Sequence, residues 1–263
     1  DEVKQFGKLD KRANEVTLYS WRNDWVKNTQ SNLGHFGYFN RDHSVKIFAD
    51  ELLAKPLIIV GAGPSLEKNI EYLAVAKREG IAIMATSHAF MYLSRPEYNI
   101  KPDYEVLLDA GGQWTEYVDT PMNGSDIPLL AEQGCDTEHL KLWKGPVAFY
   151  KSIYPKDGLG KLLQDEIDNI IPLDKTGTQI LVGGHVTAAC FSLARGLMKS
   201  DKIIFVGCDY CYTSPEEGEK FYPFQGTEKE YEIDKPSTPP KHGQIFDILG
   251  RLCWTNTSYL QFK

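Results

Sequence analysis

Short apolar runs alternate with amphipathic segments through the middle of the chain. The first run, "LIIV" at 57–60, is typical of a strand buried on both faces, and the segment 65–79 has the apolar spacing of a helix. Further strands are predicted at "IAIMATS", "DYEVLLDAG", "IPLLAE", "PVAFY" and "KIIFVGCDY", and further helices at "HAFMYLSRP" and "TAACFSLARGLMK". Because strands and helices alternate, we expect an α/β, Rossmann-like fold with a mostly parallel sheet flanked by helices.

The two ends of the chain differ from this middle. Residues 1–50 are polar and aromatic, and Trp21, Trp25 and Asn28 lie at helical spacing, so we predict a helical N-terminal extension packed on the core. Residues 51–263 would then form the nucleotide-binding domain. Residues 214–243 are rich in charge, proline, glycine and aromatics without periodicity, which predicts a long loop acting as a lid. The segment after it, "QIFDILGRLCW", is predicted to be a helix.

Composition narrows the class of protein. The chain of 263 residues is 42% hydrophobic and 25% charged, as expected for a globular protein with a substantial core. Its net charge of −7 disfavours a nucleic acid as partner, since such binders carry basic surfaces. The chain has no run of 18 apolar residues, and it opens without the apolar core of a signal peptide, so we expect a cytoplasmic protein with no membrane partner.

The chain has five cysteines, an odd number. Cys208 and Cys211 have the spacing of a redox pair or of half a zinc site. Neither a second such pair nor a nearby histidine completes a zinc set, and Cys208 follows a predicted strand. We therefore expect reduced thiols.

A glycine turn joins the first predicted strand to its helix, with the sequence Gly61-Ala62-Gly63-Pro64-Ser65. Glycines let the backbone approach a ligand, and Ser65 is predicted to cap the helix, whose free N–H groups would face an anion. The turn is neither a Walker A loop nor a full GxGxxG motif, so a purely structural turn is the alternative.

Polar residues follow the next two predicted strands. Thr86, Ser87 and His88 come after "IAIMA", where they would contact a ribose or base, and Asp109 precedes two glycines after the third strand. Ligands of parallel sheets bind at this carboxyl edge. The alternatives are a helix-capping role for His88 and a solvated strand-end carboxylate for Asp109.

A second glycine turn precedes a second helix, and polar residues follow the strand after it. The candidate site residues in these two stretches are Gly183, Gly184, His185, Thr187, Asp209, Tyr210 and Tyr212. Each glycine turn lies before a predicted helix, so each is a candidate anion site. Two such turns in one sheet are less likely to arise by chance than a single turn.

Taken together, "IIVGAGPSL", "KPDYEVLLD", "GGHVTAACFSLA" and "KIIFVGCDYCYT" resemble the motility-accessory-factor glycosyltransferases. That group shares a domain family with the archaeal 6-hydroxymethylpterin pyrophosphokinase MptE. The same segments are similar to bacterial sialyltransferases that use CMP-sialic acid, whose donor loop is Gly-Asn-Gly-Pro-Ser-Leu. Ala62 replaces the amide of that loop, and Thr86 or Ser87 stands where those enzymes use Asn.

The resemblance implies a glycosyltransferase with a CMP-activated nonulosonic acid as donor substrate and no firmly implied cofactor. Tyr210 and Tyr212 would donate hydrogen bonds to the leaving phosphate. His242, or else His185 or His88, would deprotonate the acceptor hydroxyl, and Asp209 joins His242 and His185 among the catalytic candidates. In those sialyltransferases the catalytic His follows the Gly-x-Asp-x-Tyr strand, a region where this chain has only His242.

Two alternatives stay open. An MptE-like pyrophosphokinase would use ATP and Mg²⁺, with Asp109 and Asp209 as metal ligands. A nucleotide-sugar-binding domain without catalysis would keep the fold and lack the base.

Overall fold

The structure is a computed structural model that describes residues 2–37, 42–111, 126–171, 178–214, 216, 243–246 and 249–255, with side chains from residue 18 onward. Its α-helices are α1 (Glu2–Phe36), α2 (Ser65–Arg78), α3 (Ser87–Leu93), α4 (Thr137–Leu142), α5 (Gly158–Ile170) and α6 (Val186–Phe191). A 3₁₀ helix spans Val45–Phe48, and α6 continues as a π-helical segment over Ser192–Leu197. Within the described residues, no helix has both the length and the apolarity needed to span a membrane.

Nine strands are present in the described residues: β1 (Pro56–Val60), β2 (Ala82–Thr86), β3 (Tyr104–Leu107), β4 (Leu129–Glu132), β5 (Val147–Ser152), β6 (Gln179–Ile180), β7 (Lys202–Val206), β8 (Gly243–Phe246) and β9 (Leu252–Thr255). The first seven form one parallel sheet in the order β6-β5-β4-β3-β2-β1-β7. The predicted α/β, Rossmann-like fold is therefore confirmed.

The order of the strands places a topological switch point between β1 and β7. From β1 the chain proceeds through β2 toward one edge of the sheet, and it returns at the end to add β7 on the other side of β1. Val60 is paired with Val206, so the two strands end level with each other. The loops that follow them leave the sheet side by side.

Side chains alternate across the sheet into two apolar layers. In β1, Ile58 and Val60 pack with Leu66 of α2 on one face, while Leu57 and Ile59 face the layer of α6. Leu66 is fully buried, and burying such a side chain contributes about 1.5–3 kcal/mol. Apolar runs without polar interruptions are what a sheet covered on both faces requires.

Helix α1 covers the carboxyl ends of β3 and β4. The side-chain amide of Asn28 donates to the carbonyls of Ala110 and Gly134 at 2.9 and 3.0 Å. The amide of Asn32 likewise donates to two carbonyls just beyond β4, both at 2.8 Å. Two buried amides thus satisfy four loop carbonyls and hold α1 against this part of the edge.

The tryptophans of α1 lie against glycines in the same loops. A Cβ on Gly111 would meet the Trp21 ring at 2.9 Å, and one on Gly134 would meet Trp25 at 2.7 Å. Trp25 also contacts the ring of Tyr154, with centroids 5.9 Å apart. The helix predicted around Trp21 and Trp25 is therefore present, and its aromatic face is the one that contacts the loops.

One local prediction was wrong. "QIFDILGRLCW" forms the antiparallel hairpin β8–β9 in place of a helix. Gly250 in its turn has a φ of +74°, and the backbone of Trp254 pairs with Tyr212, so a distant strand partner overrides the helical period. Helices α4 and α5 and strand β6 were not predicted. Residues 217–242, which contain most of the predicted lid, lie outside the described residues.

Candidate functional site

The loops that follow β1 and β7 meet at the switch point, where open parallel sheets bind their ligands. The contact is made by glycines. A Cβ on Gly61 would lie 2.5 Å from the carbonyl oxygen of Gly207, and a Cβ on Gly207 would overlap the carbonyl of Gly61. Gly207 also has a φ of +68°, so side chains are disfavoured on both sides of this contact.

Asp209 joins the same two loops through the first turn of α2. Its Oδ2 accepts a hydrogen bond from the Ser65 N–H at 2.8 Å. The Ser65 hydroxyl in turn accepts the N–H of Gly207 at 3.0 Å. The prediction that Ser65 caps α2 was therefore wrong: Pro64 occupies the N-cap position, and the capping oxygen comes from Asp209.

Gly63 is required by this arrangement as well. A Cβ there would lie 2.5 Å from Asp209 Oδ2 and 2.8 Å from the Gly207 carbonyl. The space beside Gly63 is therefore filled by the loop after β7. Ala62 lies between the two glycines, half-buried.

The second glycine turn begins α6. Gly183 and Gly184 have φ values of +57° and +80°, the left-handed region that favours glycine. His185 then occupies the N-cap position, and its Nδ1 accepts the N–H of Ala188 at 3.2 Å. The imidazole supplies the capping interaction that Ser, Thr, Asp or Asn more commonly provide.

Tyr210 brings the loop after β7 onto this histidine. The Tyr210 hydroxyl lies 2.9 Å from His185 Nδ1, and the two rings meet edge-on with centroids 5.4 Å apart. Since Nδ1 accepts from Ala188, the neutral tautomer with its proton on Nε2 satisfies the network, with Tyr210 as donor. Burial lowers the pKa of His185, which favours this neutral form.

Thr187, two residues beyond His185, belongs to the same network. Its hydroxyl lies close to the Tyr210 hydroxyl and to the Cys208 thiol. Desolvation raises the pKa of Tyr210 to about 12 and that of Cys208 to about 11, so both groups keep their protons at neutral pH. All five cysteines are free, as expected. Tyr212 is buried, and its backbone N–H and carbonyl both pair with Trp254.

The ends of β2 and β3 add further polar groups to this edge. Thr86 lies at the N-cap position of α3, and Ser87 begins the helix; both are buried. The Ser87 hydroxyl donates to the Val106 carbonyl at 3.4 Å. His88 is half-buried, and desolvation lowers its pKa to about 4, so it is neutral at pH 7.

Asp109 and Asp209, the predicted metal ligands, follow strands that are not neighbours. Asp109 keeps an exposed surface, although the surrounding protein raises the pKa of its carboxyl to about 6 by desolvation. Two strands separate β3 from β7, which sets the strand ends about 14 Å apart at the usual spacing. One Mg²⁺ binds its ligands at about 2.1 Å, so a shared ion would require the two loops to extend toward each other from these strand ends. Across the described ranges no group of three His, Cys, Asp or Glu side chains has the arrangement of a metal site.

His242, the favoured base, lies outside the described residues. Two residues at the site were not predicted. Glu105 is a buried acid in β3 close to Ser87, and burial raises the pKa of its carboxyl well above the usual value. The sequence could have indicated Glu105, because it is a charged residue inside the apolar run "YEVLL". Thr255 binds the backbone of Tyr210 at 2.7 Å from a distant hairpin, which no local pattern indicates.

The fold and this edge define a Rossmann-like α/β protein whose glycine loops meet at the β1/β7 switch point. The chain belongs to the MptE-like family, whose model, described as "6-hydroxymethylpterin diphosphokinase MptE-like", matches residues 26–215. The resemblance inferred from the glycine turns and the strand ends is thereby confirmed.

A solved structure shares the fold. It is the MAf glycosyltransferase from Magnetospirillum magneticum AMB-1, which superposes with a TM-score of 0.61 at 15% sequence identity. The match covers 91% of this chain and 33% of that protein, so the chain spans about a third of its length. No curated protein matches the chain.

Proposed function

We propose that this chain is a glycosyltransferase domain that binds a CMP-activated nonulosonic acid at the β1/β7 switch point. Membership of the MptE-like family and a fold shared with a MAf glycosyltransferase support a transferase of this kind. The donor class was implied by the sequence resemblance, and the chemistry of the loops supports it.

The observation that carries the proposal is a site built from neutral hydrogen-bond donors. Tyr210 and His185 are hydrogen-bonded at the switch point with Thr187 close to the Tyr210 hydroxyl, and desolvation keeps Tyr210 protonated. None of the residues in the loops 61–66, 183–187 and 207–212 is Lys or Arg. A triphosphate is usually held by cations, whereas the single phosphate of a CMP-sugar needs less neutralisation. Neutral hydrogen-bond donors in a partly buried site therefore suit a CMP-sugar better than a triphosphate.

In the proposed reaction the bond between the anomeric carbon and the phosphate oxygen of CMP breaks, and an acceptor hydroxyl forms the new glycosidic bond. Negative charge develops on the departing phosphate, where Tyr210 and the first turns of α2 and α6 would stabilise it. The acceptor's proton passes to a base. His242 is our candidate, because Nδ1 of His185 already accepts two hydrogen bonds.

The description of the family favours a second candidate, a diphosphokinase that transfers a diphosphate from ATP and releases AMP. It would require Mg²⁺ and a set of oxygen ligands, to which Asp109 and Asp209 would contribute separately. A third candidate is a domain that binds nucleotide sugars without catalysis.

Ligand-induced stabilisation distinguishes these functions. We expect CMP to raise the melting temperature more than AMP, GMP or UMP does, because a ligand at 100 times its Kd adds about 2.7 kcal/mol. CMP should then be released from CMP-sialic or CMP-pseudaminic acid only when an acceptor is added. Tyr210→Phe should slow that release and leave folding unchanged. Stabilisation by ATP with Mg²⁺ and none by CMP would instead support the diphosphokinase, and CMP binding without turnover the non-catalytic domain.

A further inference from the structure

The hairpin β8–β9 is attached to the loop that carries Tyr210. Tyr212 and Trp254 exchange two backbone hydrogen bonds of 2.8 and 2.7 Å, which joins the loop to β9. The next residue of β9, Thr255, donates its hydroxyl to the carbonyl of Tyr210 at 2.7 Å. Thr255 is fully buried, so this hydrogen bond is shielded from water.

The residue held in this way has an unfavourable backbone conformation. Tyr210 has a φ of +52°, in the left-handed region, which is unfavourable for a residue other than glycine. Such a conformation persists only where the surroundings determine it. The hydrogen bond from Thr255 acts on the carbonyl of the same residue and therefore helps to fix the orientation of that peptide.

The orientation has a direct consequence at the switch point. With this backbone, the Tyr210 side chain meets His185 at 2.9 Å, and the preceding residue, Asp209, reaches the Ser65 N–H at 2.8 Å. An extended conformation at Tyr210 would turn both side chains to new directions. The hairpin thus acts on both loops that meet at the switch point.

We propose that Thr255 is a positioning residue, which holds Tyr210 in its left-handed conformation so that the Tyr210 hydroxyl is delivered to His185 and to the bound phosphate. The second part rests on the proposed function; the first does not.

The experiment separates the two parts. The ¹⁵N signals of the His185 ring report the hydrogen bond at Nδ1 without any ligand, and calorimetry with CMP reports binding. Thr255→Val removes the hydroxyl at constant shape; it should shift the His185 signals toward those of Tyr210→Phe and weaken CMP binding about tenfold. Thr255→Ser, which keeps the hydroxyl, should restore both. Thr29→Val is the matched control, because Thr29 is also fully buried and its hydroxyl also donates to a carbonyl at 2.7 Å, but inside α1.

Unchanged His185 signals in Thr255→Val would overturn the proposal. Absence of CMP binding by the wild-type protein would count against the proposed function alone, since the His185 signals still decide the positioning role. If Thr255→Val does not fold, the double variant Tyr210→Gly/Thr255→Val tests the positioning role. Because glycine adopts a positive φ readily, we expect the double variant to fold. A double variant that stays unfolded would show that Thr255 acts only on stability.

Discussion

The carboxylate of Asp209 accepts the N–H of Ser65 at 2.8 Å, across 144 positions of sequence. The interaction joins the end of the last strand of the parallel sheet to the first helix that leaves it. It also places a negative charge at the start of α2, where a helix dipole stabilises it.

We expect Asp209→Ala to lower the free energy of unfolding by about 1–2 kcal/mol, because it removes both the cap and its favourable charge. Asp209→Asn keeps an acceptor oxygen and should cost less. Urea unfolding measures both values, and Asp201→Ala, an exposed change just before β7, serves as control. Equal stability of Asp209→Ala and wild type would show that the interaction contributes nothing.

The contact between the two glycine loops should be intolerant of any side chain. Gly63→Ala places a methyl group 2.5 Å from Asp209 Oδ2, so the loop after β7 must move. We expect a loss of several kcal/mol in the free energy of unfolding, as overpacking and a displaced cap combine. Gly34→Ala, where a Cβ meets nothing within 4 Å, should instead stabilise α1 by about 0.5–1 kcal/mol. Thermal unfolding of the two variants tests the difference, and a stable Gly63→Ala would contradict it.

Docking of α1 should depend on the polarity of Asn28. Asn28→Asp keeps the shape of the side chain but turns a donor to two carbonyls into an acceptor. Leaving those buried groups without a partner should cost about 2–4 kcal/mol. Asn23→Asp makes the same change on an exposed position of the same helix and should be near neutral. Proteolysis within α1 that is no faster in Asn28→Asp than in Asn23→Asp would rule out this account.

Glu132 gives the chain a pH dependence. It is fully buried beside α1, where desolvation raises the pKa of its carboxyl to about 7 although Gly134 and Tyr154 donate to it. The folded protein therefore holds a proton that the unfolded chain releases near pH 4.5. The resulting stabilisation is complete below that pH and is lost as the pH rises through 7, with a total on the order of 3 kcal/mol.

Glu132→Gln should remove this dependence. The difference in stability between variant and wild type, measured by urea unfolding from pH 4.5 to 8, should shift steadily in favour of the variant. Taking the difference cancels the opposite contribution of His88 and His139, whose pKa values burial lowers to about 4. The exposed Glu97→Gln variant should follow the wild-type profile. Parallel curves for Glu132→Gln and wild type would refute the raised pKa.

Much of the parallel sheet was predictable from local pattern. Six short apolar runs predicted the positions of β1 to β5 and of β7, because strands inside a sheet that helices cover are largely apolar. Strand β7 lies at the edge of the sheet and keeps part of its surface exposed. The glycine turns at 61–63 and 183–184 were predictable for the same kind of reason. Their backbone conformations and close approaches exclude side chains, so the requirement is written in the residue type itself.

Only the tertiary structure determined which residues contact those turns. Gly63 is small because Asp209 lies against it, Asp209 caps α2 where Ser65 was expected to, and Thr255 fixes Tyr210 from a hairpin whose residues suggested a helix. Each of these is a contact between residues far apart in sequence. Local periodicity reports only what neighbours within a turn or a strand require, whereas the energy of these contacts depends on which loops the order of the strands brings to one edge of the sheet.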